Sequence, residues 1–442
     1  MLYTLPVEIL DEVINYSPLN TQLVLSLVST QFNTHAARHI YRKIVLTSVS
    51  SVVQCSRTLS AKPAFANAVR SLSIKIGSPH PICFTAYYSS LKAALGVLPR
   101  LTDLEILAHG EPYSAAISQC TFPFLTRFEC AQSLTPSLAS FLNRHPTISY
   151  LQVAPSDKIW PDSDTDSSTD VEDDGSTLGI EDSPHPTLSN HPMKIILPNL
   201  QCFVGNGECI EPITRSSPLL RAAFVFWDFA GDDIEGIFSA LAAACGDSLM
   251  MLSCRRRGWN TDLIDSVSRI LPGIRAFVVT NVLTVDAHPT DETLWAIQAS
   301  LKRFTELERL MLHCVDLWQT GDVECRMDRD WETAMTWGAA CPSLSEITFP
   351  HGLKWVRLRD HEDNWAPDTS TLQGFTWACD MIRSKKCPRW RRWLRLLAER
   401  AQADMECHSD FVETASKYKE ALEEVLDNVA SDEQDVGYID DG

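Results

Sequence analysis

Along most of the chain, short apolar–polar alternations alternate with longer stretches of helical period. The alternations share one template, P-x-L-x-x-h-x-h with h apolar. It appears as "PRLTDLEI" from Pro99, "PFLTRFEC" from Pro123, "PTISYLQV" from Pro146, "PLLRAAFV" from Pro218, "PGIRAFVV" from Pro272 and "PSLSEITF" from Pro342. "PNLQCFVG" from Pro198 keeps the first two apolar positions and loses the third, and "NAVRSLSI" (Asn67), "DSLMMLSC" (Asp247) and "TELERLML" (Thr305) lack the proline. Successive starts lie 20 to 37 residues apart, except for 52 between Pro146 and Pro198. Period-two alternation predicts strands, and the intervening pieces predict amphipathic helices. Residues 232–245 align Ile234, Ile237, Phe238 and Leu241. Residues 261–271 align Leu263, Val267 and Ile270, and 294–304 align Leu294, Ile297, Leu301 and Phe304.

A strand–helix unit of this length cannot bury its own apolar face, so neighbours must stack. The pattern resembles the irregular leucine-rich repeats, although the asparagine of the regular repeat is missing. The resemblance implies an α/β solenoid with parallel strands over residues 47–360; a compact α/β domain of ordinary βα units is the alternative. Side chains alternate along a strand, which sends Glu105, Glu129, Gln152, Val204, Phe224, Ser253, Val278, Met311 and Thr348 to the open face, flanked by Phe226, Arg255, Arg309 and His313. The later part of this column is largely apolar and edged by cations, a composition that suits protein recognition. Val204, Phe224, Phe226, Arg255, Val278, Arg309, Met311 and His313 are therefore the candidate substrate-binding residues. A one-residue shift of register would instead bury Phe224 and Phe226.

The first 46 residues have a different texture. Thr4 can cap a helix from Leu5, with Pro6 in its first turn and Glu8 and Asp11 near its positive end. Asn15, Ser17 and Pro18 break that helix. Further helical stretches carry Leu23, Leu27 and Val28, then Phe32, Ala36 and Ile40 within residues 30–46. Three short helices bury little by themselves, and their surplus apolar surface predicts a partner. The run "LP.EIL..VI", then "L...LVS..F", then "R.IYRKI" resembles the F-box, the adaptor-binding module of SCF-type cullin–RING ubiquitin ligases. The resemblance implies that Leu5, Pro6, Ile9, Leu10, Val13, Ile14, Leu23, Leu27, Val28 and Phe32 dock on a Skp-type adaptor, and through it on a cullin. The remainder of the chain would then hold a protein substrate. The alternative is a repeat scaffold that these helices merely cap.

Charge refines this picture. The formal total is −19, but residues 156–190 contribute −9 and residues 427–442 contribute −6, leaving −4 for the rest. The acidity thus belongs to an insertion (155–190), rich in Asp, Ser and Pro and expected to be disordered, and to the tail (430–442). No basic stripe suited to nucleic acid accompanies it. Residues 361–429 are expected to form a helical cap. They include the basic "RSKKCPRWRRWLRLLAER" (383–400), with Trp390, Trp393, Leu394 and Leu397 on one face, and a second helix over 417–429.

Fourteen cysteines occur without any CxxC pair, and Cys130, Cys245 and Cys314 sit in apolar runs. Reduced, buried thiols are expected; the spacings of Cys202 with Cys209, and of Cys407 with His408, match no familiar zinc site. Phosphate-cradling loops, dinucleotide fingerprints, HExxH and GxSxG are all absent from the sequence. The expectation is a non-catalytic chain without metal or cofactor. The N-terminus lacks the basic-then-apolar order of a signal peptide, and no apolar run approaches the ~20 residues of a membrane span. A cytoplasmic or nuclear location, away from membranes, is expected.

Overall fold

A computed structural model describes residues 6–77, 84–108, 111–153, 194–226, 233–282, 288–314, 327–358, 364–368 and Trp393. The chain divides into two compact units, Met1–Leu220 and Arg221–Gly442.

The first unit opens with helices α1 (Val7–Tyr16), α2 (Leu19–Leu25) and α3 (Thr30–Ile40). Pro6, not Thr4, stands at the start of α1, and Pro18 starts α2. The Ser29 hydroxyl caps α3 by accepting the Phe32 N–H at 3.2 Å. Leu10, Ile14 and Ala36 form the shared core, with Leu25, Phe32 and Ile40 packed on it. The expected third helical stretch, 30–46, ends early: Lys43–Leu46 is strand β1, paired in parallel with the next strand. β-branched Ile44 and Val45 favour that extended state, so the helical module stops before residue 46.

Strands β2 (Ser71–Ile74), β3 (Asp103–Ile106), β4 (Arg127–Cys130), β5 (Tyr150–Val153) and β6 (Cys202–Asn206) continue a parallel ladder in sequence order. Between them lie α4 (Val49–Ala61), α5 (Pro63–Ala66), α6 (Thr85–Leu95), α7 (Glu111–Ile117) and α8 (Pro136–Asn143), and α9 (Ile210–Thr214) follows β6. The second unit repeats the plan with β7 (Ala222–Phe226), α10 (Ile234–Cys245), β8 (Met251–Arg256), α11 (Thr261–Ile270), β9 (Ala276–Asn281), α12 (Asp291–Leu301), β10 (Arg309–Cys314), α13 (Met327–Ala340) and β11 (Glu346–Thr348). β7 to β11 are parallel neighbours in order. The ladder then turns back through β12 (Lys354–Leu358) and β13 (Asn364–Pro367), both antiparallel. The sheet therefore runs past residue 360, where a helical cap was expected.

Each of the ten template starts lies four residues before a strand, from Asn67 and Ser71 to Pro342 and Glu346. The three apolar template positions form three buried layers. In the repeat from Pro99 these are Leu101, Leu104 and Ile106; in that from Thr305 they are Leu307, Leu310 and Leu312. The residue before nine of the strands also holds successive repeats in phase. The carbonyls of Arg42, Arg70, Thr102, Thr126 and Ser149 in the first unit, and of Arg221, Met250, Arg275 and Glu308 in the second, each accept two successive N–H groups from the next repeat. Arg42 belongs to this series because "HIYRKIVL", from His39, is a further repeat with Tyr41 in the leucine position.

The repeat from Pro198 loses its third apolar residue for a steric reason. A Cβ on Gly205 would meet the Phe203 ring at 2.6 Å and the Val153 carbonyl oxygen at 2.7 Å, so the ring already fills that layer. Across residues 154–193, which lie outside the described residues together with the predicted acidic insertion, the chain is tied back by Asn143. Its amide donates to the Lys194 carbonyl at 2.9 Å and accepts the Ile196 N–H at 2.7 Å.

Candidate functional site

The helical module leaves surplus apolar surface in solvent. Gln22 staples α1 to α2, its amide donating to the carbonyls of Ile14 and Ser17 at 2.9 Å each. Asp11 ties α1 to α3 through His39 at 3.0 Å and His35 at 3.5 Å. The His39 bond holds the Asp11 carboxyl below the usual carboxylate range. With the internal core thus complete, Pro6, Val7, Ile9, Val13, Leu19, Leu23, Val24, Leu27 and Val28 are left facing solvent. Ile9 is 46% and Leu27 is 85% exposed. Burying one such side chain is worth about 1.5–3 kcal/mol, so several exposed on one small module favour association.

The residues that the F-box resemblance implies for docking divide on this geometry. Pro6, Ile9, Val13, Leu23, Leu27 and Val28 are exposed, and Phe32 is half-buried. Leu10 and Ile14, expected at the docking surface, instead lie in the module's own core, because they form the α1 stripe that meets α3. Leu5 lies outside the described residues. Val7, Leu19 and Val24 also belong to the exposed set.

The second candidate surface is the strand face opposite the buried layers. Ladder register places Phe224, Ser253, Val278, Met311 and Thr348 opposite one another, and likewise Phe226, Arg255, Thr280 and His313. The inward partners of Phe224 and Phe226 are Ala223 and Val225, both fully buried, so the shifted register is not adopted. Two features differ from the expected apolar stripe with cationic edges. Val278 and Thr348 are buried. Arg309 is paired with Glu346 at 3.4 Å. Burial also lowers the pKa of His313 and of Arg255, which leaves His313 neutral at pH 7. Val204 stands in the first unit's ladder, opposite Gln152.

That first ladder is polar and balanced internally. Lys75 pairs with Glu105 at 2.9 Å, and Arg127 pairs with Glu129 while lying 3.8 Å from the Tyr150 ring centroid. Among the described residues no group of three or more His, Cys, Asp or Glu side chains is placed to hold a metal ion. Burial pushes the thiols of Cys130 and Cys209 up to about 12 and that of Cys245 to about 11, which suppresses thiolate chemistry. Burial raises the Cys202 thiol in the same direction. Cys407 and His408 lie outside the described residues. Among the described residues no helix is long and apolar enough to cross a membrane.

Parallel strands in sequence order within each unit, helix-bearing connectors between most of them and a recurring three-layer template define the architecture. The domain is leucine-rich-repeat-like. No family model matches the chain, and no curated protein does. Among solved structures, it is similar to the leucine-rich repeat-containing protein LegL7 from Legionella pneumophila, at 14% identity and a TM-score of 0.38, over 70% of this chain and 91% of that one. A protein from Bacteroides fragilis aligns at 12% identity and a TM-score of 0.34, over 67% of this chain and 70% of that one. The fold assignment rests on this chain's own ladder.

Proposed function

We propose that the chain is the substrate-recognition subunit of an SCF-type cullin–RING ubiquitin ligase. In this reading the helical module binds a Skp-type adaptor, and the repeat ladder holds a protein substrate. The supporting observation is the solvent-facing apolar set Ile9, Val13, Leu23, Leu27 and Val28 on a module whose internal core is already closed by Leu10, Ile14 and Ala36. A mere cap would spend that face on the neighbouring repeat. The chain would contribute no chemistry of its own, only a high effective concentration of the substrate's lysines near the conjugating enzyme. A cytoplasmic or nuclear setting goes with this role.

Binding of the purified full chain to a Skp adaptor, beside the Ile9→Asp/Leu27→Asp variant, tests the reading. Both side chains are exposed, so the variant keeps its fold; tight binding by the wild type and loss in the variant is the expected result. No binding by folded wild-type protein would leave the second reading, a protein-interaction repeat scaffold without ligase attachment, which the apolar Phe224–Met311 face supports independently.

A further inference from the structure

Where the helical module meets the first repeats, a cleft of about 780 Å3 opens beside α3 and α5. Four guanidinium groups line it from four segments: Arg38 on α3, Arg42 before β1, Arg70 before β2 and Arg100 before β3. Asp11 is the carboxylate in the lining, and it is already engaged by His39 and His35. Among the described residues, none of the four arginines has a carboxylate within ion-pair distance, unlike Arg127, Arg215, Arg269, Arg303 and Arg329, each of which is paired. In a chain of net charge −19, four unneutralised arginines converging on one concavity stand out.

The Arg70 guanidinium is fixed before any ligand arrives. Its Nη1 donates to the carbonyls of Asn67, Ala68 and Val69 at 2.8, 3.1 and 3.0 Å. Those bonds hold its position and leave its net charge uncancelled. Burial, and then the like charges of Arg100 and Arg42, lower its pKa; this repulsion would be relieved by an anion between them. We propose that this cleft binds a compact polyphosphate, free or as a small-molecule ester.

Arginine forks match phosphate oxygens in pairs, and four of them exceed what one phosphate requires. The volume suits a small molecule, within the usual ~300–1,000 Å3 range. A nucleic-acid backbone needs a continuing basic track. Here the adjoining lining runs into Asp103, and the open face beyond it carries Glu105 and Glu129.

The test uses the full chain, with inorganic tripolyphosphate titrated calorimetrically in magnesium-free buffer at low and at moderate salt. Arg42→Gln and Arg100→Gln remove exposed side chains without any ion pair in the structure, so the fold should be unchanged by circular dichroism. Each is expected to weaken binding by about tenfold or more, the range of a lost charge-assisted contact. Arg215→Gln, which deletes one exposed cation away from the cleft, is expected to bind as the wild type does. Absence of binding at millimolar tripolyphosphate, or equal weakening in all three variants, would overturn the proposal. Failure of adaptor binding would leave it untouched, since the cleft residues and the exposed apolar set are different.

Discussion

The imidazole Nε2 of His145 accepts the backbone N–H of Phe122 at 2.8 Å, one repeat earlier in the chain. Its Nδ1 donates to the Phe141 carbonyl at 2.7 Å, so both nitrogens are committed and the ring is neutral. Burial, with a smaller push from the Arg144 charge, lowers its pKa below 6.5 despite the Phe141 bond. The unfolded chain takes up a proton near 6.5 and the folded one only at lower pH. The stability this residue contributes is therefore complete above about 6.5 and is lost as pH falls toward the lowered value. Urea unfolding at pH 7.5 and 5.5 should show a smaller pH penalty in His145→Gln than in wild type; identical slopes would refute the assignment.

Ile14 and Leu27 carry opposite expectations although both are apolar residues of the same module. Ile14 is fully buried, and Ile14→Ala should cost about 2–5 kcal/mol. Leu27 faces solvent, and Leu27→Asp should stay within about 0.5 kcal/mol. Chemical denaturation of the two variants measures both; a large loss at Leu27 would mean that the face is already covered.

Phe224 tests the ladder face. Phe224→Ala should cost far less than the about 3–5 kcal/mol of a core phenylalanine such as Phe203. Combined with Met311→Ala, it should abolish capture of the substrate protein under the proposed function. A core-sized stability loss at Phe224 would contradict the register, and undiminished capture would remove this face as the recognition surface.

Much of this was legible in the sequence. The ten strand starts follow from the template because leucine, proline and a two-residue alternation impose one phase on turn and strand together. β1 escaped because Tyr41 replaces the leucine and the preceding helix reads smoothly into "RKIVL". β12 and β13 escaped because antiparallel return strands have no connector helix and no template. Sequence periodicity found the apolar positions of α1 but not which of them turn inward, since Leu10 and Ile9 differ only by the angle at which α3 happens to pack. The arginine cleft gave no local signal at all: its four residues span positions 38 to 100 and meet only through the stacking of repeats.

Trp393 is the described residue of the basic segment 383–400, and it is fully buried. Its ring meets Trp355 edge-on at 5.3 Å and Trp331 at 6.1 Å, and its indole N–H donates to Asp328 at 3.0 Å. The rest of that segment, with Trp390, Leu394 and Leu397, lies outside the described residues, as do residues 417–429 and the acidic tail. Trp393→Ala should cost about 3–5 kcal/mol, and Trp393→Phe should recover part of that while losing the indole hydrogen bond to Asp328. Thermal unfolding of the pair checks this; a neutral Trp393→Ala would show that the ring closes nothing.

The carbonyl that receives two N–H groups ahead of nine of the strands has a consequence for how this chain can change in length. From that carbonyl through the end of the strand, every residue is counted: one added or removed there would turn the buried layers outward and forfeit both bonds to the next repeat. Beyond the strand the count is free, and starts fall anywhere from 20 to 52 residues apart. Insertions, tags or grafted loops should thus be accepted after the strands and rejected before them, so each repeat keeps a fixed tooth and an adjustable gap.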